Sequence, residues 1–125
     1  MIYAPKQGDI IKLDFSPTKG HEQRGRRPAL VVSNATYNKY GRGIVIVCPI
    51  TNTDRGIKTQ IKLDQRTVTT GVIMTDQIKA LDLYERNPEF VENIPLVILN
   101  EVCDIISGFI EIEDEEPEKG FDPSL

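Results

Sequence analysis

The chain has 125 residues, enough for one ordinary domain and too few for two. With 39% hydrophobic and 27% charged residues it has a soluble globular composition, which excludes a disordered chain, and no apolar run approaches the about 20 residues of a membrane helix. The formal net charge of −4 conceals an asymmetry: residues 1–66 hold twelve Lys/Arg against five acids, 67–110 hold two against seven, and 111–125 hold one against seven. The whole-chain balance argues against a polyanionic partner, yet the first half is basic enough to hold one.

Gly8 to Phe15 alternates apolar and polar residues after a turn pair and predicts a half-buried strand. Ser16 to Arg27 reads as a long polar loop punctuated by Pro17, Gly20 and Gly25. Pro28–Ser33 and Gly43–Ile50 are β-branched runs suited to central strands, joined by Asn34–Arg42 with room for one short helical turn. Lys58–Leu63 predicts a fourth strand. Gly71–Thr75 predicts a fifth, running through Asp76-Gln77 towards Ile78 and Leu81. From Leu96 the period changes: Leu96, Leu99, Val102, Cys103, Ile106 and Ile110 mark one face of an amphipathic helix, with Asn93 as N-cap, Pro95 in the first turn and Gly108 at its end. Five or so short strands followed by one helix predict a mainly β domain over 1–110, a small barrel-like sheet with the helix packed on it. Residues 111–125 form an acidic tail whose like charges favour a solvated end.

Met1–Lys6 reaches Gly8-Asp9 without an apolar signal segment. Cys48 and Cys103 have neither zinc-site spacing nor the number expected of a secreted disulfide scaffold. The expectation is a cytoplasmic protein with free thiols, no metal and no cofactor.

Three segments carry candidate chemistry. Lys19-Gly20-His21-Glu22-Gln23-Arg24-Gly25-Arg26-Arg27 gathers four cations, the single His and two glycines. Its guanidinium forks match phosphate oxygens, although a solvated basic hairpin tip has the same composition. Pro49-Ile50-Thr51-Asn52-Thr53 ends an apolar strand in hydroxyls and an amide that can contact phosphate or base edges, or simply turn the chain. Thr75-Asp76-Gln77 places an acid at a strand end, where it can act as a general base or as a turn former.

In their order and spacing, Asp14–Gln23, Gly25-Arg26-Arg27-Pro28, Val31-Val32-Ser33, Pro49-Ile50-Thr51 and Asp76-Gln77-Ile78-Lys79 resemble the MazF/PemK family of toxin endoribonucleases over about residues 8–110. The resemblance implies a small SH3-like barrel of the CcdB/PemK type and a symmetric homodimer neutralised by a small acidic antitoxin. It also implies metal-independent cleavage of single-stranded RNA, by attack of the ribose 2′-OH on the adjacent phosphate, leaving 2′,3′-cyclic phosphate and 5′-OH ends. On the matching positions, Arg27 stabilises the phosphorane, Thr51 donates a hydrogen bond to the phosphate, and His21 and Asp76 move protons. RNA contacts fall to Lys19, Glu22, Gln23, Arg24, Arg26, Asn52, Gln77 and Lys79, with Glu22 and Gln23 also ordering the loop. One departure stands out: where the PemK branch has an Arg two residues before the Asp, this chain has Met74.

The rival on the same fold is a CcdB-like poison that traps DNA gyrase and cleaves nothing, for which a phosphate-stabilising Arg27 and Thr51 have no physical use. A third reading, a non-catalytic RNA- or peptide-binding barrel, is weakened by the eight aromatic residues, none at the spacing of a stacking platform. The tail has the composition of an antitoxin segment, so it acts either as a built-in brake on the basic groove or as a solubilising end.

Overall fold

The computed structural model describes residues 3–15 and 25–114. Within them the chain forms β1 (Asp9–Asp14), β2 (Arg26–Val31), α1 (Ala35–Tyr40), β3 (Ile44–Thr51), β4 (Gln60–Lys62), β5 (Val72–Met74), β6 (Lys79–Asp82), β7 (Glu89–Asn93) and α2 (Leu96–Phe109). The strands pair antiparallel in the order β4-β5-β3-β2-β1-β7, with β6 also on β3.

β3 is the hub. On one edge its Val47–Pro49 pairs with β2, and on the other Ile44–Val47 pairs with β6 and Ile50–Thr51 with β5. The exchange of partners falls at Cys48-Pro49, where proline has no N–H to give to a ladder. α1 is the short helical turn expected between β2 and β3, capped by the Asn34 side chain, which accepts the Tyr37 N–H.

Successive residues of the central strands enter opposite cores. Ile10, Leu30, Cys48, Ile50 and Ile73 pack with Ile98 and Val102 of α2, whereas Ile11, Leu13, Ala29, Val31, Val45 and Val47 pack with Leu81 and Leu83 on the other face. Burial on both faces explains why Ala29–Val32 and Val45–Ile50 read as unbroken apolar runs rather than alternating ones.

Several expectations are corrected. The predicted barrel is not closed: β4 and β7 end the strand order, and among the described residues no backbone ladder joins them. β4 is three residues long, too short to offer β7 one. A side chain crosses the seam instead. The Glu92 carboxylate accepts the Val68 N–H at 3.0 Å and the Thr69 N–H and hydroxyl, each at 2.7 Å.

The predicted fifth strand breaks into β5, a 3-10 turn at Thr75–Gln77, and β6. The buried Thr75 gives both its hydroxyl (2.6 Å) and its N–H (3.2 Å) to the Thr59 carbonyl, which turns the chain out of the strand. β7 was not foreseen. Asn93 is no helix cap: it ends β7, and its amide donates to buried Asp9 at 2.7 Å, while α2 begins after Pro95 with no side-chain cap. α2 runs one residue past Gly108; Leu99, Val102 and Ile106 of the expected face pack on the core, joined by Ile98 and Ile105, whereas Leu96 and Ile110 are 68% and 78% exposed. Four successive apolar residues, Leu96 to Leu99, leave periodicity without a preferred face there, and the sheet selects Ile98.

Candidate active site

The basic segment leaves and rejoins the sheet through a hydrogen-bonded clamp. The Phe15 N–H donates to the Gly25 carbonyl at 2.9 Å, and Arg86 donates to the carbonyls of Asp14 (3.1 Å) and Phe15 (2.6 Å). Lys19, His21, Glu22, Gln23 and Arg24 lie between these anchors, outside the described residues.

Arg26 and Arg27, expected in the loop, open β2 instead. Because strand side chains alternate, they face opposite ways. Arg26 pairs across the ladder with Asp14 and donates to Asp14 (3.3 Å), Glu89 (3.0 Å) and the Asn87 carbonyl (2.9 Å). Asp14 also accepts the Asn87 amide at 2.9 Å. That bond first, and the Arg26 guanidinium after it, hold the Asp14 carboxyl below the usual carboxylate range against the opposing effect of burial. Arg27 is exposed and makes no hydrogen bond or ion pair with any described residue.

The β2–β3 ladder ends at Ala29 with Pro49, beyond which β3 pairs with β5. By strand alternation Arg27, two residues before Ala29, and Thr51, two residues after Pro49, lie toward the same face of the sheet. Thr51 is half-buried at the end of β3, and its hydroxyl oxygen accepts the Thr53 N–H at 3.2 Å. The hydroxyl proton remains to be donated outward.

Gly71 clasps this strand end from behind. Its φ is +114°, and a Cβ there would lie 2.4 Å from the Thr51 carbonyl oxygen, so only glycine lets the two backbones approach. The next residue, Val72, pairs with Thr51, and the Thr70 hydroxyl donates to the Asn52 side-chain oxygen at 2.9 Å. Thr70 and Gly71 were not singled out from sequence. Gly71 reads there as the start of a strand, and nothing local marks what it touches.

Lys79 opens β6 opposite Val47, which puts it on the face shared by Arg27 and Thr51, and its ammonium lies 5.6 Å from the centre of the Phe15 ring. Asp76 and Gln77 are exposed on the 3-10 turn, which packs on β3, β4 and α2. Among the described residues no hydrogen bond or ion pair links Asp76 with Arg27 or Thr51. Cys48 beneath the turn has its thiol pushed up to about 12, by burial first and then by Cys103 and Asp76. Among the described residues no three His, Cys, Asp or Glu side chains are grouped to hold a metal ion. The arrangement thus offers a guanidinium, a hydroxyl donor and an ammonium on one open face, suited to a phosphate diester.

The family model for the PemK-like, MazF-like toxin of type II toxin–antitoxin systems matches residues 6–110. The endoribonuclease PemK of Escherichia coli is 35% identical over 109 residues, spanning 84% of this chain and 81% of that protein. The endoribonuclease toxin MazF of Escherichia coli K12 is 39% identical over 79 residues, 63% of this chain and 69% of that one. Among solved structures, MazF of Deinococcus radiodurans matches with a TM-score of 0.76 at 35% identity, covering 87% of this chain and 98% of that chain. A chain of the MazE–MazF complex from the same organism matches with a TM-score of 0.76 at 29% identity, covering 90% of this chain and 100% of that chain.

Proposed function

The chain belongs to the PemK-like, MazF-like toxins of type II toxin–antitoxin systems, and we propose that it is a sequence-specific endoribonuclease acting on single-stranded RNA at the strand-end site around Arg27 and Thr51. The observation that carries this reading is that strand alternation out of the β2–β3 ladder turns Arg27, which has no partner among the described residues, and the Thr51 hydroxyl toward the same face of the sheet.

The substrate brings its own nucleophile. The ribose O2′ attacks the adjacent phosphorus and the P–O5′ bond breaks. The 2′-OH proton passes to a base while the departing O5′ takes one up, leaving a 2′,3′-cyclic phosphate and a 5′-OH. The protein has then to stabilise the dianionic phosphorane and move two protons. Arg27 supplies charge and planar donors to the phosphorane, and Thr51 donates to one of its oxygens. Asp76 and His21 are assigned the proton transfers, His21 because imidazole titrates near neutral pH. Lys79, on the same face, takes a flanking phosphate. Asn52 and Gln77, with Lys19, Glu22, Gln23 and Arg24, complete the RNA contacts. Arg26, read from the sequence as an RNA contact, is tied to Asp14 and Glu89, and its proposed role is to orient the strand that carries Arg27. No step calls for a metal or cofactor.

The exposed apolar residues at the two ends of α2, Leu96, Val97, Phe109 and Ile110, give a second copy of the chain a surface to cover, as a homodimer requires. A small acidic antitoxin is the expected protein partner, consistent with the MazE–MazF complex of the Deinococcus radiodurans relative. The reaction is placed in the cytoplasm, where mRNA is found; among the described residues no helix is long and apolar enough to cross a membrane. A gyrase-binding poison is not favoured, since the matched relatives are named endoribonucleases.

The test is incubation with a long single-stranded RNA in EDTA, beside Arg27→Ala, with 5′ ends mapped. Discrete cuts with 5′-OH ends, absent from the variant, are expected. Uncut RNA under all conditions would refute the reading.

A further inference from the structure

We infer that Glu92 is a positioning residue for Thr51: across the open seam of the sheet it fixes the Val68–Gly71 turn, which in turn holds the Thr51–Asn52 end of β3. This rests on the role given to Thr51 above.

Three donors converge on the Glu92 carboxylate. One oxygen accepts the Val68 N–H at 3.0 Å, and the other accepts the Thr69 N–H and the Thr69 hydroxyl, both at 2.7 Å. Immediately downstream, the Thr70 hydroxyl bonds Asn52 at 2.9 Å and Gly71 lies against the Thr51 carbonyl. The Gly71 carbonyl accepts the Leu63 N–H at 2.9 Å, and Val72 pairs with Thr51. Glu92 itself stands opposite Ile10 of β1, at the ladder's irregularity between Ile10 and Ile11. One carboxylate on β7 is therefore joined to the reacting strand end through its hydrogen bonds to Val68 and Thr69, the chain onward to Thr70 and Gly71, and there one hydrogen bond to Asn52 and one close backbone contact with Thr51.

The remaining bonds of the turn are internal. Asp64 accepts from Arg66, the Thr67 N–H donates to the Asp64 carbonyl, and the Thr67 hydroxyl donates to the Thr69 carbonyl at 2.7 Å. These shape the turn without tying it to the β1–β7 half of the sheet. Burial works to raise the Glu92 pKa, yet the bonds from Thr69 and Val68 hold it below the usual range, as for a carboxylate bound in its charged form.

A seam staple with no catalytic consequence and a positioning residue differ in what they do to Thr51. Glu92→Ala and Thr69→Val, the latter removing only the hydroxyl donor, are compared with the wild-type chain on a short RNA substrate. Glu92→Ala is expected to lower kcat by about tenfold or more, as a small misplacement of a reacting group does, with a smaller rise in KM through Asn52. Thr69→Val is expected to give a smaller fall. Combined with Thr51→Ala, Glu92→Ala is expected to lower kcat no further; a further fall in kcat of the same size would overturn the inference, because general loosening costs activity whatever stands at position 51.

Hydrogen exchange at the amides of residues 51–53, measured without RNA, is expected to quicken in Glu92→Ala. Unchanged exchange in the folded variant would also overturn the inference. Should Glu92→Ala fail to fold, Thr69→Val carries the same comparisons. A wild-type chain that cleaves no RNA would refute the functional reading, and the exchange measurement would then decide the role of Glu92 alone.

Discussion

Arg26 and Arg27 are neighbours in the chain and opposites in the fold. Arg26 is bonded to Asp14, Glu89 and the Asn87 carbonyl, while Arg27 stands free of described partners and faces the Thr51 side of the sheet. Their substitutions should therefore separate activity from stability. Arg27→Ala is expected to lower cleavage by about a hundredfold or more, the scale of losing one preorganised transition-state donor, with an unchanged melting temperature. Arg26→Ala is expected to lower the melting temperature by about 3–6 °C and to reduce activity far less. Thermal melts and single-turnover cleavage on both proteins check the pair, and equal activity losses would contradict the assignment.

Gly71→Ala should do both kinds of damage at one position. The new methyl would meet the Thr51 carbonyl oxygen at 2.4 Å, on a backbone at φ +114° that L-residues avoid. A loss of about 1–3 kcal/mol is expected, with a cleavage defect persisting well below the lowered melting temperature. Wild-type activity in a folded Gly71→Ala protein would show that the Thr51 end of β3 is not held from this side.

Asp14 makes the fold acid-sensitive. Its carboxyl is lowered in the folded state by the Asn87 amide and Arg26, so its contribution is complete above the unfolded value near 4. That contribution is lost as pH falls through the lower folded value. Melting temperatures recorded between about pH 2 and 6 should fall on acidification, and less steeply in Asp14→Asn. Parallel curves would exclude Asp14 as a source of the slope.

Cys48 should be chemically silent while the protein is folded. Burial, then Cys103 and Asp76, push its thiol up to about 12, so at pH 8 almost none is thiolate. Iodoacetamide followed by mass spectrometry is expected to leave Cys48 unmodified in native protein and to alkylate it in denaturant. Rapid native labelling would mean that the α2-covered core opens readily.

Much of this fold was legible in sequence because its central strands announce themselves locally. Val45–Ile50 and Ala29–Val32 are apolar, β-branched runs that suit a pleated interior, and the Asn34–Arg42 connection has room for the short helical turn found as α1. β7 was not legible. Three of its five residues, Glu89, Glu92 and Asn93, are polar, and it is a strand because β1 offers it a ladder. Asn93 looked like a helix cap by position, and only the fold supplies Asp9, 84 residues away in sequence, as its partner.

The site divides in the same way. Arg27 and Thr51 can be picked out by motif, but that they share a face of the sheet follows from a strand pairing no local pattern encodes. The support behind Thr51 was invisible, since Glu92 meets Thr69 across 23 residues of sequence.

The exchange of partners along β3 has a consequence for biosynthesis. When Thr51 has left the ribosome, its strand can pair with β2 alone, because β5 and β6 belong to residues 72–82 and are still unmade. Until those residues emerge, Ile44–Thr51 is an apolar strand with one bare edge, open to mispairing with other nascent chains. The backbone that seats Thr51 is completed only when Val72 docks. A ribosome stalled before that point would carry Arg27 while the strand that pairs with Thr51 is still unmade.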